Sequence, residues 1–149
     1  MESLRSLKFV QLLPPQARNN GTFSYNDSVD TFGAAEALFL FELGMTEVAV
    51  GSGNASTPPF IEEHDVSTGE FSPVTPAAFL TVLGSGEGKK LFGIRVDLRK
   101  THKRWMRVNT PWAGNLTTGA NLSILCVLGQ IANSTPDADG MGLTRLIEA

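Results

Sequence analysis

The sequence predicts an all-β fold: a single antiparallel β-sandwich, jelly-roll or immunoglobulin-like, of about eight strands with an extended C-terminal arm. Three observations carry that reading. Fifteen glycines and eight prolines are spread along the 149 residues and cut the chain into short pieces. No segment holds a sustained helical period between convincing caps. The stretch from Leu91 to Asn109, LFGIRVDLRKTHKRWMRVN, alternates apolar and polar residues on both sides of a basic connector. Phe92, Ile94, Val96 and Leu98 fall on one face, Arg95, Asp97 and Arg99 on the other, and Met106 and Val108 continue the pattern opposite Trp105 and Arg107. Extended strands point successive side chains to opposite faces, so this reads as two half-buried strands with a cationic, partly aromatic outer face.

The elements follow in order. Lys8–Leu13 reads as the first strand, stopped by Pro14-Pro15. Asn20-Gly21 is a turn dipeptide, since both residues tolerate positive φ, and Thr22–Tyr25 is a short strand after it. Ala37–Leu43, ALFLFEL, is apolar on both faces apart from Glu42 and is expected to be a central strand covered on both sides. Thr46–Val50 follows Gly44 as a further strand, and Gly51–Pro59 is a loop. Phe60–Asp65 and Glu70–Val74 flank Ser67-Thr68-Gly69 as a hairpin with acidic rims. Ala78–Leu83 comes next, then the turn Gly84–Gly88 and the two basic-faced strands. Pro111–Gly119 is a loop, and Asn121–Leu128 closes the sandwich. The sandwich thus occupies residues 1–130. Residues 131–149 form an arm that leaves it, because Leu143, Leu146 and Ile147 are expected to lie on a neighbour.

Composition narrows the function classes. The net charge is -3, so a general nucleic-acid binder is not expected; phosphate neutralisation needs a cationic surplus. No apolar run approaches the ~18 residues of a membrane span, and the N-terminal stretch lacks the features of a secretory leader. The chain therefore reads as made in the cytoplasm, and its six Asn-X-Ser/Thr triplets as turn composition. Cys126, the single cysteine, lies in the apolar run LSILCVLG and reads as a buried small hydrophobe.

No catalytic or cofactor motif withstands a physical reading, so no enzyme activity, metal or cofactor is expected. Glu62-Glu63-His64-Asp65 holds ligand types, but consecutive strand residues cannot all face one ion. Asp137, Asp139, Gly142 and Glu148 match positions of a calcium loop, yet Met141 occupies a ligand position. Gly84–Lys90 superficially resembles a phosphate loop but is followed by Leu91 and a strand, where Ser or Thr and a helix are required. What remains is the basic group, which reads either as a solvated outer face whose charge discourages edge-to-edge aggregation or as a docking surface, Arg95, Arg99, Lys103, Arg104 and Arg107 with Trp105 as an aromatic anchor, facing acidic partners.

These segments resemble the small virion proteins that tailed bacteriophages encode near their major capsid protein. The resemblance spans about residues 5–130 and is carried by short motifs: EALFLFELG, then FIEEHDVSTGEFSPV. The later pattern is Val96-Asp97-Leu98-Arg99, the basic turn Lys103-Arg104, Trp105-Met106-Arg107-Val108 and the apolar run Leu122–Leu128. It implies a capsid decoration (cement) protein on the exterior of the virion, binding the major capsid protein and itself as a dimer or trimer. The alternative is a carbohydrate- or receptor-binding module of a head fibre, spike or tail, using Tyr25, Trp105 or Trp112.

Overall fold

The computed structural model describes residues 6–18, 23–24, 27–46, 58–80, 90–110 and 120–130. Nine strands are present among them: β1 (Lys8–Arg18), β2 (Phe23–Ser24), β3 (Val29–Asp30), β4 (Glu36–Thr46), β5 (Phe60–His64), β6 (Ser72–Ala78), β7 (Lys90–Asp97), β8 (Trp105–Thr110) and β9 (Ala120–Gly129). One sheet has the order β1-β9-β4-β7. The other runs β2-β8-β5-β6, with β3 also paired to β8. Since β2 and β3 both pair with β8, at Thr110–Asn109 and Met106–Trp105 respectively, they act as one interrupted strand.

The pairing is nested: β1 with β9, β2/β3 with β8, β4 with β7 and β5 with β6, every pair antiparallel. A long hairpin rolled up on itself gives this order, which is the jelly roll and not the immunoglobulin arrangement. Between the sheets lies one core. Phe39, Phe41, Leu43, Ile61, Met106, Ile124 and Leu128 are all buried there, each burial stabilising by roughly 1.5–3 kcal/mol. Phe79 docks edge-on against Phe41 (5.1 Å between centroids) and Phe92 (6.1 Å). Cys126 is a free, fully buried thiol inside this core, pushed up to about 12 by desolvation, and is therefore inert.

Several elements depart from the sequence expectation, each for a physical reason. The first strand does not stop at Pro14-Pro15. It continues to Arg18, with register shifts between Gln11 and Leu13 and between Leu13 and Gln16. β1 is an edge strand, so a proline in a bulge deprives the ladder of little. The first shift also turns two consecutive residues, Leu12 and Leu13, into the core. β4 likewise runs through Gly44 to Thr46, where a Cβ on Gly44 would come within 2.9 Å of Asn121 Cβ. β4 is central, between β9 and β7, but it is not covered on both sides. Ala37, Phe39, Phe41 and Leu43 are buried, whereas Leu38 and Leu40 are partly exposed and Glu42 is exposed. β3 was not expected. The expected strand positions 47–50 and 81–83, the loop 111–119 and the arm 131–149 lie outside the described residues.

A candidate docking tip and its ion pairs

β7 and β8 carry the expected alternation, but they lie in different sheets. Ile94 and Val96 turn into the core from one sheet, Met106 and Val108 from the other. Arg95 therefore points out of one broad face of the sandwich, and Trp105 and Arg107 point out of the opposite one. The connector, residues 98–104, crosses between them at one end of the molecule. It brings together Lys103 and Arg104 with a turn that the sequence reading did not single out.

That turn follows β3. Asp30 Oδ1 accepts the Phe32 N–H at 3.0 Å, Thr31 O accepts the Ala34 N–H at 3.1 Å, and Gly33 takes φ 81°, a conformation natural to glycine. Thr31 fastens the turn to the connector: its N–H (3.0 Å) and Oγ1 (2.6 Å) both donate to Arg104 O. The result thrusts Phe32 outward, 77% exposed. Arg104 then locks sideways onto Asp30 through two parallel hydrogen bonds, Nε to Oδ1 at 2.8 Å and Nη2 to Oδ2 at 2.7 Å. Its guanidinium carbon lies 5.0 Å from the Phe32 ring centroid and 5.6 Å from that of Trp105. The Arg104 guanidinium holds the Asp30 carboxyl below its ordinary value, against a partial burial that acts the other way. Asp-Thr-Phe-Gly was a legible turn signature; the exposed ring at its tip follows from the turn.

The rest of the connector is held by carboxylates. Asp97 Oδ1 accepts from Arg99 N (3.2 Å) and Nε (2.8 Å), and this bonding draws the Asp97 carboxyl down to about 2. Glu63 reaches to the connector, where its Oε2 lies 2.9 Å from His102 Nδ1 and accepts the Lys103 N–H at 3.1 Å. On β8, Arg107 Nε donates to Glu62 Oε2 at 2.7 Å and Asn109 Nδ2 to Oε1 at 3.1 Å, with the guanidinium 4.2 Å from the Phe71 centroid. Arg95 pairs with Glu36 on β4 (Nε to Oε2, 2.7 Å).

Arg95, Arg99, Arg104 and Arg107 are therefore each engaged with a carboxylate, and the run of positive residues is largely neutralised within the fold. Among the described residues, only Lys100 and Lys103 of this stretch have side chains without an ion-pair partner. What the tip offers a partner is the Phe32–Arg104–Trp105 stack with Lys103 beside it. Arg95 and Arg107 stand apart on the two broad faces. Leu143, Leu146, Ile147, Tyr25 and Trp112 lie outside the described residues.

A cleft of about 470 Å³ opens between the edge strands β6 and β7, lined by Val74, Ile94, Arg95, Lys100 and His102 among others. Among the described residues no three His, Cys, Asp or Glu side chains are grouped so as to hold a metal ion. Nor does any described helix have the length and apolarity to cross a membrane. No protein-family model, no curated protein and no solved structure matches this chain.

Proposed function

We propose that this protein is a structural component of a virion, a capsid decoration (cement) protein made in the host cytoplasm that binds the outside of an assembled tailed-phage head and stabilises the shell. The observation that carries the reading is the tip: an exposed phenylalanine, held by a glycine turn and an Arg–Asp lock, beside a cation and a tryptophan. An exposed aromatic on a rigid turn is the kind of anchor that seats in a pocket of a partner surface. The acidic partner expected for it is the major capsid protein. Many copies bound at once give high avidity from modest single contacts, so a small tip suffices. Phe32, Lys103, Arg104 and Trp105 make the primary contact in this reading, with Leu143, Leu146 and Ile147 of the arm reaching an adjacent subunit.

The test is copy number in purified virions, with occupancy remeasured after Phe32→Ala. Hundreds of copies per head, reduced at least tenfold in occupancy by Phe32→Ala, would support decoration. A dozen copies or fewer would move the protein to a spike, neck or tail. A second reading, glycan or receptor binding, is favoured by one feature: the exposed Phe32 ring and the Trp105 ring both lie against Arg104 at the tip, an aromatic pair that suits stacking on a sugar. Saturable binding on a glycan array, abolished by Trp105→Ala, would select it over capsid binding.

A further inference from the structure

We propose that the outer face of the β1-β9-β4-β7 sheet is a self-association surface, on which a second copy of this chain packs face to face. The two-fold axis would run along the strands between β9 and β4. This pairing is independent of what the tip docks on, since the tip lies on the connector at the end of the molecule.

The outer face of a sandwich sheet is ordinarily the polar one. Here the registers assemble two rows across all four strands: Phe9, Val127, Leu38, Arg95 and then Gln11, Leu125, Leu40, Gly93. The five apolar side chains among them are partly exposed and contiguous. Gly93 widens the patch, because Leu38 and Leu40 lean over it: a Cβ there would meet Leu38 Cδ1 at 3.3 Å and Leu40 Cδ2 at 3.5 Å. At the lower rim Leu91 on the β7 edge is 64% exposed, and Pro14 and Pro15 of the β1 bulge are exposed on the opposite edge.

The apolar rows of the face pair with one another across that axis. Rotation about the stated axis exchanges β4 with β9 and β7 with β1. Leu38 then meets Val127 of the second copy, and Leu40 meets Leu125. Arg95 comes over Phe9, a cation above an aromatic face. Glu42 meets Ser123, whose hydroxyl already donates to Glu42 within one chain at 3.0 Å. Glu36 already folds over Gly129 of its own chain, its Oε1 3.1 Å from where a Cβ would stand, so the two Glu36 carboxylates approach each other at the rim of the interface, and the Arg95 guanidinium paired with each offsets that repulsion. Four strands spaced ~4.8 Å and about four paired rows give a footprint on the order of 500 Å² on each copy, or ~1,000 Å² in total, the size at which a specific interface begins. Two sheets stacked ~10 Å apart, as inside the sandwich, would interdigitate these rows.

Sedimentation velocity of the full chain from 1 to 100 µM reads the outcome, with Leu40→Lys as the disrupting variant and Phe32→Ala as the control. A lysine keeps an aliphatic stem on the patch and its ammonium in water, so the monomer folds, as far-UV circular dichroism would show; in the dimer the charge is trapped. The expected result is a dimer whose dissociation constant rises at least tenfold with Leu40→Lys and is unchanged by Phe32→Ala. Should Leu40→Lys not fold, a mixture of Leu38→Cys and Val127→Cys chains decides: a short bis-maleimide, which spans the ~10 Å between stacked sheets, yields mixed cross-linked dimers above either variant alone, and buried Cys126 takes no part. A monomer at all concentrations, or a dimer indifferent to Leu40→Lys, overturns the proposal. So does a monomer in which the thiol introduced by Leu38→Cys is shielded from alkylation, because a segment of the same chain then covers the face.

Discussion

The two broad faces of this sandwich are built on opposite plans. The face of the β2/β3-β8-β5-β6 sheet carries an ionic network: Glu62 sits 7% exposed under Arg107 and Asn109, with Phe71 stacked on the guanidinium. The face of the β1-β9-β4-β7 sheet carries Phe9, Leu38, Leu40, Leu125 and Val127, with the Arg95–Glu36 ion pair at one end of these rows and Arg95 64% exposed. Both faces belong to the same nested hairpin, so topology does not explain the difference. The ionic face satisfies its polar groups within one chain. On the other face apolar surface is left that water does not favour and a further layer would. A charge network that is nearly closed to solvent is costly to break and has little left for a partner. An apolar face behaves in the reverse way.

The largest effect is expected at Glu62. Glu62→Ala leaves Arg107 and Asn109 without their acceptor beneath Phe71, and should lower the unfolding free energy by about 2–3 kcal/mol, read from urea denaturation at neutral pH. Replacing both partners, Glu62→Met with Arg107→Leu, should return stability to within ~1 kcal/mol of the original protein, since burying the pair is itself expensive. A double variant as weak as Glu62→Ala alone would show that the ion pair and its hydrogen bonds are worth more than the cost of burying them, and that apolar packing cannot replace them.

Smaller effects follow at the tip and on the opposite face. Gly33→Ala meets no neighbour within 4 Å but forces φ 81° on a side chain, and should cost about 1 kcal/mol by thermal melting. Arg95→Ala should change stability by less than ~0.5 kcal/mol, as an exposed pair does. Acid should act on the tip through Asp30 and Asp97. Both carboxyls titrate below the ordinary 3.8 in the folded chain, Asp97 at about 2. A depressed folded value means that their stabilisation is complete above pH ~4 and disappears as pH falls through the folded values. Amide exchange of the Phe32 turn should therefore be flat from pH 7 to 4, after correction for the intrinsic exchange rate, and rise toward pH 2.

Much of the fold was legible where the pattern is local. Strict alternation located β7 and β8, the Ser67-Thr68-Gly69 turn located the β5–β6 hairpin, and the apolar runs located β4, as a central strand, and β9. Alternation states which residues share a face of one strand, however, and nothing about which sheet that strand joins. For that reason Arg95 and Arg107 read as neighbours on one surface, while the jelly-roll crossover sends them to opposite sides. The arginines also read as available to a partner, because their carboxylates are distant in the chain. Glu36 is 59 residues from Arg95, Glu62 is 45 from Arg107, and Asp30 is 74 from Arg104. Only Arg99, paired two residues away with Asp97, announced its partner locally. The prolines in β1 misled for a related reason, since a proline is a strand breaker only where its missing N–H faces a neighbour.

The contrast between the faces is tested most directly by urea unfolding of Glu62→Ala beside Leu40→Lys, at sub-micromolar concentration so that association does not contribute. Glu62→Ala should lose about 2–3 kcal/mol and Leu40→Lys less than ~1 kcal/mol, with equal slopes against denaturant. Equal losses, or a larger loss for Leu40→Lys, would mean that the apolar face already supports the isolated chain, and the division of roles drawn between the two faces would be wrong.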